Sequence, residues 1–218
     1  MNEFGTVREQ CVSRIGHDAE PDKRKLRRAI LSVRNGLPAD DVRGTADALA
    51  RHALELPELA RARTVAAYVS VGGEPGTLAL LDTLHARGVR VLLPVLLADD
   101  DLDWGVYEGA DHLVRVRYGG RMTLLEPAGE RLGPEAVTEA DAVLLPGLAV
   151  DSRGVRLGRG GGSYDRVLAR LERAGAGPAL LVLLYDSEVV DRVPREPHDR
   201  AVHAVVTPSG VRRFRPPA

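Results

Sequence analysis

Apolar residues along this chain follow two rhythms, helical spacing in some stretches and unbroken short runs in others, and the two alternate. A first helix is expected from Asp22, where Leu26, Ile30, Val33 and Leu37 recur at helical intervals and Pro38 ends the pattern. A second covers Asp40 to Leu56, with Val42, Ala46, Leu49 and Ala53 facing inward. Thr64 to Val71 reads as a β-branched strand, Thr77 to Arg87 as a helix closed by Gly88, and Val89 to Leu96 as the next strand, with Pro94 near its end. Val143 to Leu145 has the look of a buried strand end stopped by Pro-Gly. Ala179 to Tyr185 is a continuous apolar run suited to a central strand, and Ala201 to Thr207 makes the last one.

This β-α-β succession predicts an α/β fold: a three-layer, open, mixed or mostly parallel sheet with helices on both faces, in a single domain spanning residues 22–218. Residues 1–21 show no clear period and are expected to form a poorly ordered tail. Of the 218 residues 44% are hydrophobic, enough for one sizeable core. A formal net charge of −1 with no long basic block argues against nucleic acid as the main partner. The single cysteine, Cys11, excludes a disulfide framework or a zinc ligand set and fits a reducing cytoplasm. No run approaches the apolar length of a membrane span, and no signal-peptide core is seen near the start, so a cytoplasmic protein is expected.

The stretch that carries chemistry runs VLLPGLAVDSRGVRLGRGGGSYDRVLARL from Val143 to Leu171. A segment from Val155 to Leu157 leads into Gly158, Arg159, Gly160, Gly161 and Gly162, and a helix begins near Tyr164, with Val167, Leu168 and Leu171 on one face. Glycines let backbone N–H groups approach a ligand closely, and the first helical turn adds unpaired donors and partial positive charge. Arg156 and Arg159 flank the loop with fork-shaped donors matched to phosphate oxygens. The run is neither a P-loop, since no Lys-Ser/Thr follows, nor a dinucleotide fingerprint, since Ser163 stands where a third glycine is required. On composition alone a structural turn is the competing reading. Asp165 is either the N-cap of the following helix or a carboxylate available to a cation that bridges phosphates.

The segment LPGLAVDSRGVRLGRGGGSYDR resembles the signature of the 5-formyltetrahydrofolate cyclo-ligase (methenyltetrahydrofolate synthetase) family, roughly PGLxFD, a turn, then RLGxGxGYYDR. The family usually has two tyrosines before the aspartate, where this chain has Ser163 and Tyr164; a weaker contact to the folate is the part this departure affects. The resemblance implies ATP-dependent cyclisation of 5-formyltetrahydrofolate to the 5,10-methenyl form, with Mg²⁺ as cofactor and ATP and a reduced folate as the small-molecule partners. It further implies that Lys23 and Arg27, matching a KxxxR helix, bind ATP phosphates together with Arg156, Leu157, Gly158, Arg159, Gly160, Gly161, Gly162, Ser163 and Tyr164. Glu74, in a Y-x-x-x-x-x-E-x-x-T segment, would hold the pterin, with Val69, Arg159, Gly160, Gly161, Gly162 and Ser163 lining the same substrate site. Arg159 and Tyr164 would act at the reacting atoms, and Asp165 with Asp199, the latter in a P-x-x-x-x-D loop, would hold the metal.

Other features stay with plainer readings. Two lysines, Lys23 and Lys25, stand against twenty-eight arginines, and Lys25 is read as a solvated charge. Asp99 to Asp101 with Asp103 reads as a solvated turn, because consecutive carboxylates lack cation-loop spacing. Trp104 is core or pocket wall, Leu125-Glu126-Pro127 carries no chemistry, and His198 is unassigned. The alternatives are a sugar-phosphate isomerase or acyl-transfer enzyme of similar layout, which would need no ATP, or a non-catalytic nucleotide-binding homologue, for which Ser163 is the motivating oddity.

Overall fold

The computed structural model describes residues 22–119, 122–196 and 199–214. The expected N-terminal tail, Cys11 and His198 lie outside them. Helices are α1 (Lys23–Arg34), α2 (Ala39–Leu54), α3 (Pro57–Ala60), α4 (Leu78–Ala86) and α5 (Ser163–Arg173). The main sheet has seven strands in the order β11-β10-β9-β6-β1-β2-β3. These are β1 (Thr64–Ala66), β2 (Arg90–Leu96), β3 (Leu102–Val106), β6 (Ala142–Leu145), β9 (Ala179–Leu183), β10 (Ala204–Thr207) and β11 (Gly210–Arg213). Its five inner strands are parallel, and β3 and β11 close the two edges antiparallel. Two hairpins lie outside it: β4 (Leu113–Tyr118) with β5 (Met122–Pro127), and β7 (Ala149–Val150) with β8 (Arg156–Leu157).

Alternation along β6 shows why this is a three-layer fold. Ala142 and Leu144 pack into a core with Leu49 and Ala53 of α2 and Leu80, Leu81 and Leu84 of α4. Val143 and Leu145 face the other layer, where Val167, Leu168 and Leu171 of α5 meet Trp104 and Val137. Helix α1 covers neither face; Leu26 and Ile30 pack on Leu148, Ala149, Val155 and Leu157 at the end of the sheet. The expected three-layer α/β architecture is therefore present, in one domain.

Boundaries differ in instructive ways. Strand β1 is only Thr64–Ala66, because residues beyond Ala67 leave the ladder to form the cavity wall described below. In α1, Asp22 is the N-cap, its carboxylate accepting from Arg24 N at 2.8 Å, and the inward position after Ile30 is taken by Arg34, while Leu37 lies beyond the helix. In α2, Leu49 and Ala53 are buried and Ala46 is half-buried; the side chain of Val42 lies outside those described. The N-cap of α5 is Gly162 with φ +80°, so Asp165 sits in the first turn and the capping reading of it falls. The Asp99 to Asp101 turn is not merely solvated: Asp101 accepts from Arg170 of α5 at 2.7 Å. Trp104 is fully buried in the core.

Chain order across the sheet decides where a ligand can sit. From β1 the chain moves outward through β2 to β3, and from β6 outward the other way through β9 and β10, so the order reverses between β1 and β6. Loops leaving the carboxyl ends of two such strands diverge and leave a crevice.

Candidate active site

A cavity of about 340 Å³ opens at that reversal point. One wall is the segment after β1, with Tyr68, Val69, Val71 and Glu74. A second is the glycine loop with Arg156, Gly158 to Gly162, Ser163, Tyr164 and Asp165. The far side is made by Pro94, Leu96, Asp100 and Leu102 with Met122 and Leu124 of the β4–β5 hairpin. Loop and carboxylate, some eighty residues apart in sequence, thus face one space.

The glycine loop is held from below. Arg27 Nε donates to Gly158 O at 2.9 Å, and a Cβ built on Gly160, whose φ is +94°, would lie 3.2 Å from Arg27 Cζ. Gly160 therefore has both a backbone conformation and a neighbour that reject a side chain. The loop ends at the first turn of α5, where the opening amide N–H groups have no intrahelical acceptor. Arg156 has a guanidinium buried beside them; Nη1 donates to Pro146 O at 2.8 Å and Nη2 stands 3.7 Å from Asp165 Oδ1. Burial lowers its pKa, opposed by Asp165, Tyr164, Asp199 and Tyr68. It remains a cation whose field is only partly answered.

Glu74 is 7% exposed. Oε2 accepts from Val71 N at 2.9 Å, closing its own turn, and Oε1 accepts from Arg159 Nε at 3.1 Å. Arg159, half exposed, thereby joins the loop to the carboxylate. Tyr68 and Tyr164 flank them. Burial, with Glu74 nearby, raises both phenol pKa values well above the ordinary range, so each OH stays protonated at neutral pH. The Tyr164 hydroxyl is buried and has no partner among the described residues. A buried donor left open at a cavity wall is a cost normally met by a ligand or water.

Other expected site residues lie outside the cavity lining. Lys23 Nζ donates to Asp199 Oδ2 at 2.8 Å and to Glu196 Oε2 at 2.9 Å, one helical turn before Arg27. Burial works against its charge, yet these two carboxylates outweigh it and raise the Lys23 pKa. Asp199 Oδ2 also accepts from Glu196 N at 2.7 Å. Leu157 is buried against α1, and its carbonyl accepts from Leu148 N, so its side chain serves the core. Among the described residues no three His, Cys, Asp or Glu side chains converge as a metal cage. Of the two carboxylates expected to hold the metal, Asp165 stands 3.7 Å from the Arg156 guanidinium and Asp199 is paired with the Lys23 ammonium at 2.8 Å. The chemistry of these donors, carboxylate oxygens, fits a hard ion that would take its remaining oxygens from phosphate and water.

Several lining residues escaped the sequence reading. Tyr68 could have been found beside Val69 as the aromatic of the Glu74 segment. Met122 and Leu124 carried no signal, because the hairpin's position depends on Glu126: buried in β5, it accepts from Leu96 N at 3.1 Å and Tyr118 OH at 2.6 Å. Burial and that carboxylate push the Tyr118 phenol up to about 12. Glu126, expected to carry no chemistry, thus anchors the hairpin.

Comparison with known proteins gives the family. Residues 19–208 match the profile of the 5-formyltetrahydrofolate cyclo-ligase family. The 5-formyltetrahydrofolate cyclo-ligase of Mycolicibacterium smegmatis is 44% identical over 191 residues, covering 85% of this chain and 93% of that protein. The Escherichia coli K12 cyclo-ligase is 34% identical over 157 residues, 71% of this chain and 83% of that one. Among solved structures, 5,10-methenyltetrahydrofolate synthetase from Aquifex aeolicus superposes with a TM-score of 0.72 at 28% identity, covering 90% of this chain and 94% of that chain. No helix among the described residues is long and apolar enough to cross a membrane. Family match and fold agree, and the chain belongs to the 5-formyltetrahydrofolate cyclo-ligase family of enzymes.

Proposed function

We propose that this enzyme converts 5-formyltetrahydrofolate and ATP to 5,10-methenyltetrahydrofolate, ADP and phosphate. A formamide oxygen is a poor leaving group. Attack of that oxygen on the γ-phosphorus breaks the bond to ADP and forms a phosphorylated formyl group; N10 then adds to the formyl carbon, phosphate departs with the oxygen, and N10 loses its proton. Such a path needs no covalent protein nucleophile. It needs two substrates held in contact and charge met where it develops.

The chain's residues divide that work. Loop amides from Gly158 to Gly162, the first turn of α5, Arg27 and Lys23 would receive the triphosphate. Glu74 would accept hydrogen bonds from pterin N–H groups, with Val69, Tyr68, Met122 and Leu124 against the ring. Arg159 stands between Glu74 and the loop, where the γ-phosphoryl group and the formyl oxygen must meet, and Tyr164 offers a protonated hydroxyl there. Asp165 and Asp199 would hold Mg²⁺. That ion would supply bridging charge to the phosphates, and Lys23 would then share Asp199 with it. Ser163, at the first residue of α5, leaves the ring contact to the apolar wall.

One observation supports this reading most: the Arg159–Glu74 hydrogen bond at 3.1 Å joins the glycine loop to a buried carboxylate within one cavity. The test is methenyl absorbance from purified protein with 5-formyltetrahydrofolate, Mg²⁺ and ATP. Product dependent on both ATP and Mg²⁺ is expected. No product at any ATP concentration would reject the reaction, and product without ATP would point to an isomerase-like or acid-driven path.

A further inference from the structure

On the buried face of α1, Leu26 and Ile30 are followed not by an apolar residue but by Arg34, which is 3% exposed. Burying a guanidinium costs several kcal/mol before partners are counted. Two of its three nitrogens are committed: Nε and Nη2 donate to Glu188 Oε1 and Oε2 at 2.5 and 2.8 Å, and Nη2 also donates to Gly147 O at 2.7 Å, while Nη1 is buried without a partner among the described residues. A buried ion pair alone is commonly replaceable by apolar groups without loss of stability. The carbonyl contact is what an apolar pair cannot supply.

That carbonyl belongs to the turn that positions Arg156. Pro146 O, the adjacent carbonyl, accepts from Arg156 Nη1 at 2.8 Å. A Cβ added to Gly147 would lie 2.8 Å from Val182 Cγ2 and 3.6 Å from Arg156 Cγ, so the turn is wedged between β9 and the arginine stem. The ion pair from Arg156 to Asp165 is long, 3.7 Å, so the short contact to Pro146 O carries more of its placement. Arg34 also underlies the opposite wall: a Cβ on Gly73 would come within 3.4 Å of Arg34 O. Arg27 and Arg34 are two helical turns apart on one face of α1, one beneath the glycine loop and one beneath the Pro146–Gly147 turn.

Resting on the reaction proposed above, we propose that Arg34 is a positioning residue: it fixes the Pro146–Gly147 turn and through it the Arg156 guanidinium, while its backbone supports the turn that presents Glu74. Arg34→Lys keeps the charge but cannot hold Glu188 and Gly147 O as a fork. We expect about a tenfold fall in kcat, with KM for the folate within about twofold. Placed in an Arg156→Gln background, the same change should cost less than about twofold, because residues acting through one another are non-additive. A purely structural role would give the same fall in both backgrounds and would overturn the proposal. The double variant Arg34→Met/Glu188→Gln removes the ion pair and the anchor while leaving an amide oxygen that can still accept from Tyr185 N, which Glu188 Oε2 serves at 3.0 Å; wild-type turnover in that folded protein would also overturn it. Calorimetric titration of Mg-ATP without folate reads the same coupling independently of turnover. Loss of the cycle there defeats the positioning role, whereas a wild type that binds ATP but makes no product defeats the reaction instead.

Discussion

The two ends of the cavity are made of different material. At the glycine-loop end the ligand-facing surface is largely backbone, amides of Gly158 to Gly162 and the first turn of α5, braced from outside by Arg27 and with the Arg156 guanidinium in the wall beside them. At the Glu74 end it is side chain: one buried carboxylate, the protonated Tyr68 phenol and the apolar Val69, Met122 and Leu124. Backbone donors recognise charge and shape whatever the rest of the ligand is, so that end is suited to a phosphate chain. A buried carboxylate recognises a particular set of donors, and a ligand lacking them leaves it unpaired. Affinity at the first end depends on conformation, and selectivity at the second depends on one functional group.

The sharpest way to break this contrast is Glu74→Gln. An amide keeps the shape but presents a donor where the ligand needs an acceptor, so kcat/KM for the folate should fall about a hundredfold while KM for ATP stays within about twofold. Steady-state kinetics with each substrate varied checks it; equal damage to both KM values would erase the distinction.

Next in size is Gly160→Ala. A Cβ there meets a φ of +94° and the Arg27 guanidinium at 3.2 Å, and the backbone strain alone is about 1–2 kcal/mol. ATP affinity should drop about tenfold, with folate binding kept, as read by titration of each ligand.

The smallest effect concerns a latch between the two walls. Asp101, in the turn after β2, is held by Arg170 of α5, and Asp100 O accepts from Arg166 Nη1 of the same helix at 3.3 Å. Hydrogen bonding to Arg170 lowers the Asp101 pKa below its ordinary 3.8 against the opposing cost of burial. A depressed folded pKa means the stabilisation is complete above pH 3.8 and fades as pH falls through the folded value. Asp101→Asn should therefore lower Tm by about 2–4 °C at pH 7 and by less near pH 3, with turnover little changed. A thermal melt at both pH values checks the sign.

How much of this was legible in sequence follows the same division. The glycine run, the helix after it and the flanking arginines are local, so their spacing made an anion cradle one of two readings, beside a structural turn. Val143 to Leu145 and Ala179 to Tyr185 read as buried strands because parallel strands are apolar on both faces. Glu74, by contrast, is a lone loop carboxylate; nothing local says that it is buried or that it faces Arg159 eighty-five residues away. Resemblance to the family supplied that link. Arg34 was missed because a charged residue at the end of an amphipathic helix reads as solvated, and its partners Gly147 and Glu188 are set by sheet order. Asp165 was open to an N-cap reading until Gly162, in the left-handed region, took that place.

The central claim is that one cavity holds two half-sites, a backbone cradle for Mg-ATP and a carboxylate anchor for the folate, meeting at Arg159. It is tested most directly by titrating both ligands separately into Glu74→Gln and Gly160→Ala. Glu74→Gln should bind Mg-ATP as the parent does and lose the folate, and Gly160→Ala should do the reverse. Loss of Mg-ATP binding in Glu74→Gln with folate binding intact, or loss of both ligands in either folded variant, would contradict it.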